Sequence, residues 1–171
     1  AGFLLHGLIQ TYLFSPVTVA AALVAGGFAM LLIERAGPRV AVTDLMAIPW
    51  PRALGIGLAQ VVSLFPGVSR AAATIMGGMV LGLDRKTSTE FSFFLAMPTL
   101  LAATLYELAR SWDRLTPADL GLFAAGFVAA FVSALAAVRV FVRFISRHDF
   151  RPFAWYRIAL GAVVLAWSIL G

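Results

Sequence analysis

The chain reads VVSLFPGVSRAAATIMGGMVLGL from residue 61 to residue 83, and Arg70 is the only charged residue in that stretch. Pro66 and Gly67, just before it, interrupt a helix, and the small residues after it favour a new one. A charge at membrane depth is costly, so it is usually paired and usually functional. Because Arg70 would stand at a helix N-terminus, the expected group for it to hold is an anion.

The composition of the chain is that of a membrane protein. Hydrophobic residues make up 61% of its 171 residues and charged residues 12%, whereas soluble domains carry about 25% charged residues. Several apolar runs approach the roughly 20 residues that a helix needs to cross a bilayer. The alternating pattern of a membrane barrel is missing from the sequence. We therefore predict an all-α integral membrane protein, a polytopic helix bundle that forms a single membrane domain.

Cysteine content and charge restrict the chemistry. The sequence contains no cysteine, which excludes disulfides and thiolate metal sites. Its net charge of +5 suits anionic lipid headgroups or phosphates. Nucleic acid is not an expected partner, because the arginines are spread between the predicted helices instead of forming a run.

Four segments have the pattern of membrane-spanning helices, residues 17–33, 88–108, 118–142 and 153–170. Each is close to the length that crosses the hydrocarbon core. A kink is expected in the second of them, at Pro98. Aromatic residues at the start of the last one are typical of a membrane interface.

Residues 53–83 have a different pattern. Residues 53–65 and 71–83 each favour a helix that is too short to cross, and the Pro-Gly break lies between them. Two half-helices of this kind predict a re-entrant hairpin over 53–83. Broken backbone is tolerated at membrane depth only where it is buried in protein or lines a wet cavity.

The loop charges predict an orientation. If the hairpin enters and leaves on one side, the loops at 34–52, 84–87 and 143–152 share that side, and they hold most of the basic residues. The loop at 109–117 lies opposite and is less basic. Since cytoplasmic loops carry the excess of Lys and Arg, the hairpin ends are expected in the cytoplasm.

Polar residues around the break are the first candidates for chemistry. Arg70 can grip a phosphate with two parallel hydrogen bonds, and Ser69 adds a hydroxyl at the same helix N-terminus. The alternative for Arg70 is snorkelling to an interface or pairing with a distant carboxylate. Thr74 lies on the same helix face, four residues on. It either donates to a phosphate or bonds back to its own helix, and the second is slightly favoured.

Two further charged residues are ambiguous from the sequence alone. Arg157 is either a second phosphate ligand or an interfacial snorkelling residue, and the spacing does not separate the two. Glu90 follows Thr87 with the spacing of a capping box, which the pattern favours. The other reading of Glu90 is a buried carboxylate that pairs with an arginine or a cation.

The break and its surroundings resemble a family signature. Undecaprenyl-diphosphate phosphatases, the bacitracin-resistance family of bacterial inner membranes, carry Pro-Gly-x-Ser-Arg-Ser-Gly-Ala-Thr-Ile. That motif is similar to Pro66-Gly67-Val68-Ser69-Arg70 followed by Ala73-Thr74-Ile75. The resemblance continues in order through Glu90-Phe91-Ser92-Phe93, Ala96-Met97-Pro98 and Pro152-Phe153-Ala154-Trp155-Tyr156-Arg157.

This resemblance implies a function and a set of site residues. The family removes the terminal phosphate of undecaprenyl diphosphate, which recycles the lipid carrier for cell-wall synthesis and confers bacitracin resistance. By this resemblance Ser69 and Arg70 are catalytic, and Arg70, Thr74 and Arg157 bind the substrate phosphates. Glu90 is a supporting residue by the same resemblance.

The same resemblance implies cofactor, fold and partners. It calls for a divalent cation, Mg²⁺ or Ca²⁺, and for inverted repeats that each contribute a re-entrant helix pair, of which 53–83 would be one. The expected partners are the polyprenyl diphosphate lipid, bilayer lipids and, as an open question, a second copy of the chain. The expected location is the bacterial inner membrane, crossed several times.

Two departures from the family pattern matter. Ala71 and Ala72 stand where the family has Ser-Gly, so a hydroxyl and a flexible residue are lost. No metal ligand is expected in this chain, because the family's acidic motif and its Ser-Ser-Thr-Gly-His segment belong to an N-terminal part that the sequence does not match. We therefore expect the chain to represent the C-terminal two-thirds of a member, and the complete protein to be the enzyme.

A second function class stays open. Broken helices, inverted repeats and a charge at the midplane also describe secondary transporters, so the same phosphate clamp could carry a polyprenyl phosphate across the bilayer.

Overall fold

The computed structural model describes residues 15–170, without the side chains of Arg114, Pro117, Ile169 and Leu170. Over this range the chain is helical, as predicted. Its six α-helices are α1 (Pro16–Ala36), α2 (Trp50–Val61), α3 (Arg70–Val80), α4 (Arg85–Arg110), α5 (Leu120–Ile145) and α6 (Arg151–Leu170). By length and composition, α1, α4 and α5 are candidate membrane spans among the described residues.

Helix α1 begins and ends at signals that the sequence carries. Ser15 caps it, because its Oγ accepts a hydrogen bond from the Thr18 backbone N–H at 3.1 Å, and Pro16 takes the first helical position. The helix ends at Gly37, which has a φ of 55° and donates to the Ile33 carbonyl at 3.2 Å. A left-handed φ of this kind favours glycine.

Helix α4 begins earlier than its sequence pattern indicates. Asp84 is the N-cap, since its Oδ1 accepts from the Thr87 backbone N–H at 2.8 Å. The capping-box interpretation of Thr87 and Glu90 is therefore wrong, because both residues already lie inside the helix. The Glu90 carboxylate instead lies 3.8 Å from the Lys86 ammonium, one turn away. The helix continues through Pro98 to Arg110.

A short 3₁₀ turn, Pro117–Asp119, leads into α5. The Asp119 carboxylate accepts from the Thr116 backbone N–H at 2.9 Å and from the Thr116 hydroxyl at 2.7 Å. These two bonds lower the pKa of Asp119 below its ordinary value. The helical segment thus starts at Pro117, close to residue 118 where the predicted span begins, and α5 itself follows from Leu120.

Helices α2 and α3 form an antiparallel hairpin closed by small residues. A Cβ on Gly55 would lie 2.8 Å from Leu81 Cδ1, and a Cβ on Gly77 would lie 2.6 Å from the Ala59 Cβ. Just after α3, the Gly82 carbonyl accepts hydrogen bonds from the backbone N–H groups of Ala41 and Val42, in the loop before α2, at 2.8 and 3.0 Å. The start of α2 and the finish of α3 therefore lie at the same end of the molecule, since Gly55 faces Leu81.

The remaining helices pack on this hairpin and on each other. Helix α4 runs antiparallel to α3, with Ser88 against Gly78, where a Cβ would lie 2.8 Å from the Ser88 Oγ. Helix α6 runs antiparallel to α1 along their length, and a Cβ on Gly161 would lie 2.8 Å from the Ala20 carbonyl oxygen. Small residues let membrane helices approach closely enough for backbone contact. Helix α5 contacts the others mainly near its C-terminus, and most of its side chains are exposed.

One end of the bundle carries most of the basic residues, and we call residues 34–42, 82–90 and 139–151 the basic end. There the Glu34 carboxylate is held by Arg85, whose Nε lies 3.0 Å from Oε1, and by the Phe150 backbone N–H at 3.0 Å. The Glu34 side chain is only 1% exposed. It joins the end of α1 to the starts of α4 and α6.

We expect Glu34→Ala to destabilise the fold by at least about 2 kcal/mol. Breaking a buried ion pair usually costs about 3–5 kcal/mol, and the 45% exposure of Arg85 reduces that figure. Unfolding of the purified protein in detergent, followed by circular dichroism, measures the loss. The control is Glu90→Ala, which breaks an exposed pair and should cost about 1 kcal/mol or less. Equal losses in the two variants would contradict this account of Glu34.

Candidate functional site

The break between α2 and α3 is docked against α1. A 3₁₀ turn, Val62–Leu64, ends α2, and Gly67 follows with a φ of 88°. A Cβ on Gly67 would lie 2.5 Å from the Val19 carbonyl oxygen and 2.9 Å from the Ala22 Cβ. Both the left-handed backbone and the close approach require glycine at this position. The Pro-Gly signal in the sequence therefore reflects contact with a neighbouring helix as well as a local turn.

Ser69 is the N-cap of α3. Its Oγ accepts from the Ala72 backbone N–H at 3.3 Å, which leaves other N-terminal N–H groups of the helix unpaired within it. Ser69 also lines a cavity of about 230 Å³, together with Arg157. The rest of that lining is mostly apolar and aromatic, with Met30, Ile75, Phe141, Phe153 and Tyr156 among its members. A hydroxyl, a helix N-terminus and a guanidinium thus face one space.

Arg70 leaves the helix on a different side. Its Nη1 donates to the Thr99 Oγ1 on α4 at 3.1 Å, and the residue is half-buried. Thr99 lies 14 residues after Arg85, which corresponds to about 21 Å of helix from the basic end. Arg70 is absent from the described lining of the Ser69 cavity. Among residues 15–170 that contact is its one polar side-chain contact, which leaves the remaining guanidinium donors available for an anion.

Arg157 reaches into the bundle from α6. Its Nη2 donates to the Gly67 carbonyl at 3.0 Å, and its Nε is buried without a hydrogen-bond partner among the described residues. Gly26 makes room for it, because a Cβ there would lie 2.7 Å from the Arg157 Nη2. The guanidinium therefore holds the break and does not extend to an interface. Of the two sequence readings, snorkelling is not the arrangement found here.

A second, larger cavity of about 460 Å³ lies between α1 and the α2–α3 hairpin. Its lining is apolar and built largely of small residues, such as Ala22, Gly26, Ala73 and Gly77. Arg157 is the one charged residue among those that line it. The Arg157 side chain therefore lies where an apolar space and the Ser69 cavity meet.

Thr74 is not placed to reach an anion. Its side chain is buried, and its Oγ1 lies 3.0 Å from the Arg70 carbonyl oxygen and 2.5 Å from the Ser92 Oγ on α4. It therefore bonds back to its own helix and ties α3 to α4, which is the reading that the sequence slightly favoured. Its proposed phosphate contact finds no support in this arrangement.

The predicted site residues thus separate into groups. Ser69 and Arg157 face one cavity, Arg70 points towards α4 from the same helix start, and Glu90 lies at the basic end with Lys86. Sequence reasoning missed Gly26 and Thr99 as partners of the two arginines. The Gly26-Gly27 pair signals close packing, but nothing local says that an arginine 131 residues away fills the space.

The arrangement supplies positive groups without ligands for a metal. Among the described residues, there is no group of three or more His, Cys, Asp or Glu side chains that could hold an ion. The backbone N–H groups at the start of α3 and two arginines are suited to bind a phosphate. The chemical capacity of this part of the molecule is therefore anion binding at a broken helix.

Fold and site together define an α-helical membrane protein with a broken helix that Arg70 and Arg157 flank. The sequence matches the family described as Bacitracin resistance protein BacA over residues 1–163, and the chain belongs to that family. It is therefore a multi-pass protein of a bacterial membrane family.

Curated relatives extend this comparison. The chain is 50% identical over 172 residues to an undecaprenyl-diphosphatase of Methylobacillus flagellatus, covering 97% of this chain and 64% of that protein. It is 52% identical over 171 residues to one of Bordetella avium, covering 92% of this chain and 60% of that protein. An undecaprenyl-diphosphatase 2 of Rhodospirillum rubrum is 54% identical over 162 residues, covering 94% of this chain and 59% of that protein. The chain thus spans about three-fifths of the length of these relatives.

We expect Arg157→Met to loosen the break even without substrate. Loss of a hydrogen bond from a charged donor, worth about 1.5 kcal/mol or more, should raise amide hydrogen exchange at residues 65–72 about tenfold. Exchange is measured by mass spectrometry on the detergent-solubilised protein. Arg110→Met, at the far end of α4, serves as the control. Unchanged exchange at 65–72 would show that Arg157 does not hold the turn.

Proposed function

We propose that the complete protein is an undecaprenyl-diphosphatase, which hydrolyses the terminal phosphate of undecaprenyl diphosphate and thereby supports cell-wall synthesis and bacitracin resistance. The names of the relatives suggest the reaction. The observation that carries the proposal is the start of α3 at the break, where Ser69 and Arg157 line one cavity beside free backbone donors and Arg70 extends from the same helix start towards α4. A diphosphate needs several donors, and this arrangement offers them in a low-polarity setting.

The proposed roles follow from these positions. Arg70 keeps most of its donors free and is expected to grip a phosphate, in exchange for or beside its bond to Thr99. Ser69 caps α3 and keeps the helix N-terminus aimed at the cavity that it shares with Arg157. Arg157 holds the Gly67 carbonyl, and its unpartnered Nε is a further donor for a substrate oxygen.

We also propose that the α2–α3 hairpin is re-entrant and is one half of an inverted repeat. The end of α3 is joined to the loop at 41–42 at the basic end, while the tip of the hairpin contacts Val19 on α1. Val19 lies 15 residues from Glu34, or about 22 Å along α1, which is less than the roughly 30 Å of a hydrocarbon core. These contacts support a hairpin whose tip stops inside the membrane.

A divalent cation, Mg²⁺ or Ca²⁺, is proposed for the complete protein only. The described residues do not fit such an ion, because they lack a cluster of suitable ligands. No step that depends on a metal is assigned to them. The relatives exceed this chain in length, and the acidic motif implied by the family resemblance would have to come from outside the described residues.

The membrane location and the assembly of the complete protein are proposed as well. The inner membrane is expected, since the lipid carrier is recycled there and the basic loops lie together at one end of the bundle. A homodimer is also proposed. The exposed apolar side of α4 around Leu101 and Leu105 is a surface of the described chain on which a second copy could pack.

We expect Arg70→Ala to lower turnover of the complete protein about 100-fold or more, because a donor to the developing phosphate charge is lost. Arg70→Lys should restore little, since an ammonium lacks the planar fork of a guanidinium. Phosphate release from undecaprenyl diphosphate in detergent, with added Mg²⁺ or Ca²⁺, measures the effect. Arg39→Ala in the exposed loop is the control. Wild-type turnover in Arg70→Ala would rule out the assigned role.

A lipid phosphate transporter is the second candidate function. The apolar cavity with Arg157 at one side suits an amphiphile whose charged end is held inside the membrane. Vesicles that contain the complete protein and a labelled polyprenyl phosphate separate the two functions. Transfer of the label between leaflets without phosphate release would favour transport, and phosphate release without transfer favours the hydrolase.

A further inference from the structure

Three arginines form a line at the C-terminal end of α5. Arg139, Arg143 and Arg147 are spaced four residues apart, so they lie on one face of the helix and its final turn. All three are exposed, and no ion pair or hydrogen bond of their side chains occurs within the described part of the chain. We call these three residues the arginine line.

The carboxylates of the basic end are already engaged elsewhere. Glu34 is bound by Arg85 and Phe150, and Asp84 caps α4. Glu90 faces Lys86, and Asp149 lies 3.4 Å from Arg151. The described chain therefore provides no carboxylate to neutralise the arginine line. Its positive charge is available to an anionic ligand.

A polar cavity of about 460 Å³ adjoins the line. Residues from the start of α4 and from the end of α5 surround it, namely Asp84, Arg85, Lys86, Ile145, Ser146, Arg147, His148 and Asp149. Arg147 belongs both to this cavity and to the line. His148 covers one side, stacked on Phe144 with ring centroids 4.3 Å apart, and its Nδ1 lies 3.0 Å from the Phe144 carbonyl oxygen.

The position of the line matches the depth of lipid headgroups. Helix α5 has no charged residue from Leu120 to Val138, a run of 19 residues or about 28 Å. That length nearly fills a hydrocarbon core of about 30 Å, which puts Arg139 at its edge. Arg143 and Arg147 follow at steps of about 6 Å along the helix, within the polar layer of the bilayer. Exposed apolar side chains below them, such as Val128 and Val132, are available to acyl chains.

We propose that the arginine line and its adjoining cavity form a binding site for an anionic phospholipid. The phosphodiester binds between Arg143 and Arg147, a polar headgroup enters the cavity, and the acyl chains lie along the exposed face of α5. Charge complementarity commits the site to an anionic lipid over a zwitterionic one, because three basic residues near a membrane surface favour the anionic lipid by an order of magnitude or more. The site lies away from the break at Gly67 and does not depend on the proposed phosphatase function.

The test is a lipid titration of the complete protein in detergent micelles, with phosphatidylglycerol and phosphatidylcholine of the same acyl chains. Native mass spectrometry counts the lipids retained. The test variant carries Arg139→Gln, Arg143→Gln and Arg147→Gln. The matched control carries Arg35→Gln, Arg39→Gln and Arg52→Gln, which removes the same charge from elsewhere on the same side of the chain. Circular dichroism confirms that both variants are folded.

The expected result is a preference for phosphatidylglycerol of about tenfold in the wild type and in the control, reduced to threefold or less in the test variant. Added inorganic phosphate at millimolar concentration should leave the lipid bound. Equal retention of both lipids by the wild type would overturn the proposal, and so would equal losses in the two variants, which would indicate a general charge effect. Complete displacement by inorganic phosphate would show a site for soluble phosphate instead of a lipid.

Discussion

The described structure depends on the Glu34 carboxylate, which connects the ends of three helices. It is buried, yet it is held by Arg85 at the start of α4 and by the Phe150 backbone N–H at the start of α6. Helix–helix association in a membrane has little hydrophobic driving force, so close packing and polar contacts carry it. A buried charge that is fully hydrogen-bonded can fix which helix ends meet. Three helices that lie far apart in the chain are therefore held at one level.

From the Glu34 end, two layers of packed helices extend to the break at Gly67. In one layer, α6 packs against α1 through small residues. In the other layer, α3 packs against α4, where Thr74 and Ser92 are hydrogen-bonded. Arg157 then links the two layers at the far end of the hairpin, through the Gly67 carbonyl. The candidate site therefore lies where the layers meet, and its shape depends on the spacing of both. Displacement of either layer would move the start of α3 relative to Arg157.

The helices and the break could be predicted because their signals are local. Ser15 with Pro16 marks the start of α1, and Pro66 with Gly67 marks the end of the α2 segment, each through backbone geometry of neighbouring residues. The capping box at Glu90 was predicted wrongly because a local signal cannot decide between two neighbouring caps. Asp84 and Thr87 are both competent caps, and the loop pairing of residues 41–42 with 82–84 favours the earlier start.

The membrane class, the helical segments and the candidate site residues follow from the sequence alone, because hydropathy, charge and Pro-Gly breaks act over a few neighbouring residues. Only the tertiary structure decides which of those residues share a space. Arg157 and Gly67 are 90 positions apart, and their contact exists because Gly26 leaves room between two packed helices. The Thr74 hydroxyl is hydrogen-bonded to Ser92 on another helix and therefore does not face the site. Such pairings depend on how helices stack, and helix stacking leaves no local pattern in the chain.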